Sequence, residues 1–136
     1  MKFNRQSSTT DSPSHSAEDC CKQGKAHCEA GDFQLGLQAF DQAIALNSSH
    51  CPAHNNRGNV LCQLKRYAEA LAAYDRATAL SPSYHEAWFN RGQLLTEMGA
   101  YGNALESYEQ AIRFKPDPMY LHAREDIWLK KKLVTA

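Results

Sequence analysis

The chain has 136 residues, and its 15 basic and 15 acidic side chains give a formal net charge of zero. A nucleic-acid partner is not expected, because domains that bind nucleic acid carry a broad positive field that this balance lacks. No apolar run approaches the roughly 20 residues of a membrane span, and no apolar signal core follows the first five residues, so we expect a cytoplasmic protein without a membrane partner.

The first segment of the chain, residues 1–16, is rich in Ser and Thr and contains Pro13. It shows no helical periodicity. This composition predicts a disordered leader.

A period of 34 residues organises the next part of the chain, from residue 17 to residue 118. Glycine recurs at this period, an aromatic residue follows each glycine by 16 positions, and alanine follows it by 19. The members of these three columns are Gly24, Gly58 and Gly92; Phe40, Tyr74 and Tyr108; and Ala43, Ala77 and Ala111. Small residues let two antiparallel helices approach closely, and the aromatic rings supply the bulk between them.

Each period therefore predicts a pair of helices, and the three pairs cover 17–30 with 33–46, 51–64 with 67–80, and 85–98 with 101–114. Gly31 and Gly99 mark turns within two of the pairs. Pro82 and Pro116 end second helices, because proline lacks an amide donor. A single pair cannot bury its apolar face, so we expect three helix-turn-helix units, 17–50, 51–84 and 85–118, to stack on one another.

The last segment, 119–136, departs from the period, because Asp126 stands in the glycine column and no second helix follows. We predict a terminal capping helix with a basic tail. In this prediction Leu121, Trp128 and Leu129 face the third unit, and the lysines at 130–132 point to water.

These columns resemble those of the tetratricopeptide repeat family, and the resemblance covers about three quarters of the chain. It implies an all-α, right-handed superhelix of three stacked repeats with a capping helix. The stretches Asn56-Arg57-Gly58 and Asn90-Arg91-Gly92 are similar to a variant frequent in bacterial members. We expect both arginines to be structural, each pairing with a carboxylate of an adjoining repeat.

In this family the first helix of each repeat lines a concave groove, so the resemblance implies which side chains face a ligand. These predicted groove residues are Lys22, Lys25, Asn55, Asn56, Asn59, Gln63, Phe89, Asn90, Gln93, Tyr120 and Ile127. Carboxamides donate and accept hydrogen bonds, so they can hold the backbone of an extended peptide whatever its sequence. The three apolar members would anchor side chains of that peptide. Alternatively, the amides are ordinary solvated residues and Phe89 packs into the next repeat.

The chain is thus predicted to be a protein-interaction adaptor with a protein or peptide partner. The family's carboxylate clamp for chaperone tails is largely missing. Only Asn56 matches it, while Cys21 and Glu86 replace cations, which argues against such tails as ligands. Two alternatives remain open: a homodimer formed through the first helix at Ala17 and Cys20, and an interaction module of a larger assembly without a groove ligand.

No catalytic motif is present, so we do not expect an enzyme. The five cysteines lack the paired spacing of a zinc site, and neither a metal nor a cofactor is predicted. Cys21 and Cys28 lie seven residues apart and are predicted to face the groove. Buried or half-buried thiols are favoured over a site that senses oxidation or binds a soft metal.

Overall fold

A computed structural model describes residues 16–135, which form seven helices and no strand. In chain order the helices are α1 (Ala17–Glu29), α2 (Phe33–Leu46), α3 (Cys51–Gln63), α4 (Tyr67–Leu80), α5 (His85–Glu97), α6 (Tyr101–Phe114) and α7 (Pro118–Thr135). The six paired helices begin at the predicted residues, and the predicted all-α fold of stacked pairs is confirmed. No helix within residues 16–135 is long and apolar enough to cross a membrane.

The predicted leader lies outside the described residues, apart from Ser16. The Ser16 hydroxyl accepts a hydrogen bond of 3.1 Å from the amide of Asp19. This is an N-cap, which satisfies one of the free amides at the start of α1. Ser16 therefore belongs to the beginning of the first repeat.

In each helix pair, an aromatic ring of the second helix packs directly against a glycine of the first helix, so the two helices lie close together. A methyl group on Gly24 would lie 2.7 Å from the Phe40 ring. The corresponding distance is 2.5 Å from Gly58 to Tyr74 and 2.6 Å from Gly92 to Tyr108. Real Cβ contacts do not come this close, so only glycine fits at these three positions.

The turn within each pair contains one residue in the left-handed region of the backbone. Gly31 and Gly99 have φ angles of +84° and +79°, as expected for a helix that ends in a left-handed cap. In the second repeat the equivalent residue is Lys65, with a φ of +61°. A lysine in this conformation is strained relative to glycine, since its Cβ approaches the carbonyl oxygen.

The two arginines that precede the column glycines join successive repeats, as predicted. Arg57 Nε donates to Asp41 Oδ1 at 2.6 Å, and Arg91 Nε donates to Asp75 Oδ1 at 2.7 Å. Arg91 makes a further contact, because its Nη1 donates to Ser107 Oγ at 2.6 Å. Ser107 is fully buried, and its counterpart in the second repeat is an alanine.

This difference predicts unequal costs for the same substitution. Arg57→Ala removes a pair with an exposed carboxylate and should lower the free energy of unfolding by less than about 1 kcal/mol. Arg91→Ala also removes the partner of the buried Ser107 hydroxyl and should lower it by about 2 kcal/mol. Urea denaturation of the two variants measures both values. Equal losses would show that the Ser107 contact contributes nothing.

The capping helix α7 packs through a different face from the one predicted. Ile127 is 1% exposed, and Tyr120 is buried beside it. Leu121 and Leu129 are 37% and 49% exposed, so the prediction that they face the third repeat was wrong. Trp128 is 47% exposed but borders a hollow with Leu105 and Glu109 of α6. The stripe at 120, 123 and 127 occupies the interface. Each predicted residue lies one or two positions from this stripe, which rotates its side chain by 100° or more around the helix.

Candidate functional site

The first helices of the three repeats, α1, α3 and α5, line one continuous groove made of three adjoining hollows. The first hollow lies between α1 and α3 and has a volume of about 400 Å³. The second lies between α3 and α5 and has a volume of about 450 Å³. The third, of about 400 Å³, is bordered by α1, α3, α5 and the beginning of α7. Asn59 lines all three, so it marks the centre of the groove.

The Asn59 side chain is oriented by a hydrogen bond from the second helix of its own repeat. Its Oδ1 accepts a hydrogen bond of 2.6 Å from the hydroxyl of Tyr74, the aromatic residue that covers Gly58. This bond engages the amide oxygen and leaves the amide NH₂ to donate to a ligand. The packing of the second repeat therefore orients a donor at the centre of the groove.

A second carboxamide pair spans two repeats. Asn90 Nδ2 donates to Asn55 Oδ1 at 3.1 Å. Asn55 is buried, and it lines the third hollow together with Asn90. Asn90 Oδ1 is left as an acceptor, and Asn90 lines the second and third hollows together with Asn59.

The remaining carboxamides are open to solvent along the groove. Asn56 is half-buried and lines the first and third hollows, while Gln63 and Gln93 are exposed around the second. Lys25 is exposed and borders the first and third hollows. Lys22 is also exposed but borders none of the three.

The predicted apolar anchor is mostly buried. Phe89 is 8% exposed, and its ring stacks on the Tyr120 ring at a centroid distance of 4.5 Å. The Tyr120 hydroxyl is hydrogen-bonded to His85 Nδ1 at 2.8 Å. Ile127 is buried in the same cluster. Phe89 packs against the capping helix that follows its repeat, which agrees with the alternative in which it packs into the next repeat. Edges of Phe89 and Tyr120 still form part of the wall of the third hollow.

Two residues of the third hollow were missed by the sequence prediction, Met119 and Tyr84. Both stand in columns outside the set that the family resemblance marks as ligand-facing. Met119 begins the capping helix and is 60% exposed, so it is the apolar side chain that this hollow offers to a ligand. Tyr84 immediately precedes α5, and nothing in the repeat pattern at its position indicated that it would border the groove.

The phenol of Tyr84 resists ionisation. Burial raises its pKa to about 12, and the carboxylate of Glu86 adds to the shift, while a hydrogen bond from Asn55 opposes it. Burial also raises the pKa of Tyr74, Tyr108 and Tyr120. All four phenols are therefore neutral at physiological pH and can act as hydrogen-bond donors.

The raised pKa of Tyr84 makes the fold sensitive to alkali. An unfolded tyrosine ionises near pH 10, so the folded state binds more protons than the unfolded state as the pH rises from about 10 to 12. The free energy of unfolding should fall through this window. Thermal unfolding followed by circular dichroism should show that the unfolding midpoint of Tyr84→Phe falls less steeply with pH than that of the wild type. An identical pH dependence would place the Tyr84 hydroxyl in solvent.

The five cysteines lie in the first two repeats. All five are free thiols. Cys21 is buried and lines none of the three hollows, so the prediction that it faces the groove was wrong, while Cys28 is half-buried and borders the first hollow. Burial raises the pKa of the Cys21, Cys28, Cys51 and Cys62 thiols, which disfavours the reactive thiolate. Within residues 16–135 no group of three or more potential ligands could hold a metal ion.

Stacked helix pairs with a groove along their first helices define a helical repeat protein of the interaction class. Three family models match the sequence: one described as TPR repeat over residues 58–99, and two described as tetratricopeptide repeat over residues 39–72 and 85–118. The chain is a tetratricopeptide repeat (TPR) protein. No curated protein sequence matches it.

Solved structures share the same fold at low sequence identity. The first TPR of Spaghetti (RPAP3) bound to the HSP90 peptide SRMEEVD has a TM-score of 0.80 and 18% identity, covering 88% of this chain and 94% of that chain. The Sgt2 TPR domain from Aspergillus fumigatus has a TM-score of 0.83 and 19% identity, covering 88% and 81%. MamA has a TM-score of 0.81 and 22% identity, covering 93% and 75%. These structures show that the chain has the fold of stacked TPR helix pairs.

Proposed function

We propose that this protein is an adaptor that holds an extended peptide segment of a partner protein in the groove. The observation that carries the proposal is the row of carboxamides available to a ligand along α3 and α5, centred on Asn59. A TPR domain of the same fold is bound to a peptide, which supports this use of the surface.

The internal hydrogen bonds favour binding to a peptide backbone. Asn59 presents its NH₂ because Tyr74 engages its oxygen, and Asn90 presents its oxygen because its NH₂ is bonded to Asn55. An extended peptide offers one carbonyl acceptor and one amide donor at each residue that is not proline. A donor and an acceptor fixed before binding match this pair and reduce the entropy lost on association.

Side-chain specificity then depends on the third hollow. Met119 is 60% exposed and lines this hollow together with the largely buried Phe89 and Tyr120. Methionine adapts to ligands of irregular shape, so this hollow suits one apolar side chain of the peptide.

The direct test is selection of peptides from a random displayed library with the full chain. The proposal predicts enriched sequences that bind the wild type and are displaced by one another, since they share one groove. Failure to enrich any peptide would contradict the proposal. Sequences that bind equally after substitution of groove amides would place the contact elsewhere.

A homodimer is the second candidate. The predicted contact through the first helix has little apolar surface available, since Cys20 is 1% exposed and Ala17 is half-buried. The most exposed of the large apolar residues lie on α7, where Leu133 is 78% exposed and Val134 is 70% exposed. Light scattering of the full chain at micromolar concentration decides this alternative, because a monomer mass there discards it.

A further inference from the structure

The charges that border the groove are unbalanced. Among the described residues, Lys25 is the one cation that lines the three hollows, while three carboxylates line them: Glu29, Glu86 and Glu97. All four side chains are exposed. A chain with zero formal net charge therefore has a negative groove.

Within the described part of the chain, none of the groove carboxylates forms an ion pair with a Lys, Arg or His side chain. Within residues 16–135 the ion pairs involve other acids, chiefly Asp41 with Arg57 and Asp75 with Arg91 on the side of the second helices. Glu29, Glu86 and Glu97 take part in none of them. The negative field is thus left for a ligand to balance.

The acids stand on opposite sides of the carboxamide row. Glu86 and Glu97 are eleven residues apart on α5, which corresponds to about 16 Å along the helix. Asn90 and Gln93 lie between them on the same helix. Glu29 occupies in the first repeat the position that Glu97 occupies in the third. A peptide that follows the amides across the helices has one acidic rim on each side.

From this arrangement we propose that the ligand is a basic extended peptide, with Lys or Arg side chains on both sides of its backbone. The inference rests on the proposed peptide-binding function. Successive side chains of an extended chain point to opposite sides, so neighbouring basic residues reach opposite rims. An acidic peptide such as the SRMEEVD segment bound by the Spaghetti TPR is disfavoured, because its carboxylates meet Glu86 and Glu97.

The effect on affinity is moderate and depends on salt. Exposed charges are screened over about 10 Å at 0.1 M salt, so each contact adds little by itself. Two contacts together should change the affinity for a basic peptide by about 5- to 10-fold at low salt, and by less at high salt.

The experiment compares the charge of peptides selected from the random library by three full-length proteins. These are the wild type, the groove variant Glu86→Gln with Glu97→Gln, and the control variant Glu106→Gln with Glu109→Gln. The control changes two exposed acids of α6 that lie outside the groove, so it has the same net charge as the groove variant.

We expect the wild type and the control to select peptides enriched in Lys and Arg, and the groove variant to lose this enrichment. The affinity of the best basic peptide should fall about 5- to 10-fold for the groove variant alone. This inference would be overturned, and the proposed function left intact, if the selected peptides showed no enrichment in Lys and Arg. The same conclusion would follow if both variants lost the same amount of affinity for the basic peptide. Selection of no peptide by the wild type would overturn both.

Discussion

Replacing Gly58 by alanine should lower the free energy of unfolding by about 3 kcal/mol, one of the largest effects that a single methyl group has in a packed core. The added Cβ would lie 2.5 Å from a ring carbon of Tyr74, a buried side chain that cannot move into solvent. The second helix pair would have to separate. Tyr74 also orients Asn59, so peptide binding should weaken in the same variant.

Gly102→Ala is the matched control for this substitution. Gly102 lies in α6, and no atom is within 4 Å of the position that its Cβ would take. Alanine has the higher helix propensity, so the control should be unchanged or more stable by up to about 1 kcal/mol. Urea denaturation measures both variants. Equal stability for the two would show that the glycine column does not set the distance between paired helices.

The second large effect concerns the groove. Asn56→Ala combined with Gln93→Ala should weaken the affinity of a selected peptide by about 1–3 kcal/mol, or roughly 5- to 150-fold. Both amides border the hollows and are accessible, so their loss removes hydrogen bonds to a ligand without exposing the core. The thermal midpoint should stay close to that of the wild type.

Gln38→Ala with Gln42→Ala is the control for this pair, because it removes two exposed carboxamides of α2 that line none of the hollows. Isothermal titration of one peptide with the three proteins gives the comparison. Equal affinities in both variants and the wild type would exclude the amide row as the binding surface.

The fold could be predicted from the sequence because its determinants are local and repeated. The glycine, aromatic and alanine columns each specify one close contact between paired helices, and the structure places Gly24 beneath Phe40 and Gly58 beneath Tyr74 as expected. The interface of α7 was not predictable in the same way. Its column glycine is replaced by Asp126, so the pattern no longer indicates which face is buried.

The site could be predicted only in outline. The helices that border the groove followed from the register, but the roles of individual amides depend on neighbours from other repeats. Asn55 and Asn56 are adjacent in sequence and both line the third hollow, yet Asn55 is buried and bonded to Asn90 while Asn56 is half-buried and also lines the first hollow. Phe89 is likewise buried because Tyr120 of the capping helix stacks on it.

The central claim is that a partner peptide lies along the carboxamides of the first helices. The most direct measurement is amide chemical-shift mapping of the isotope-labelled full chain during titration with a selected peptide. The largest shifts are predicted in α3 and α5 around Asn56, Asn59 and Gln93, with few in α2, α4 and α6. Shifts confined to these second helices, or to the exposed apolar face of α7, would contradict the claim.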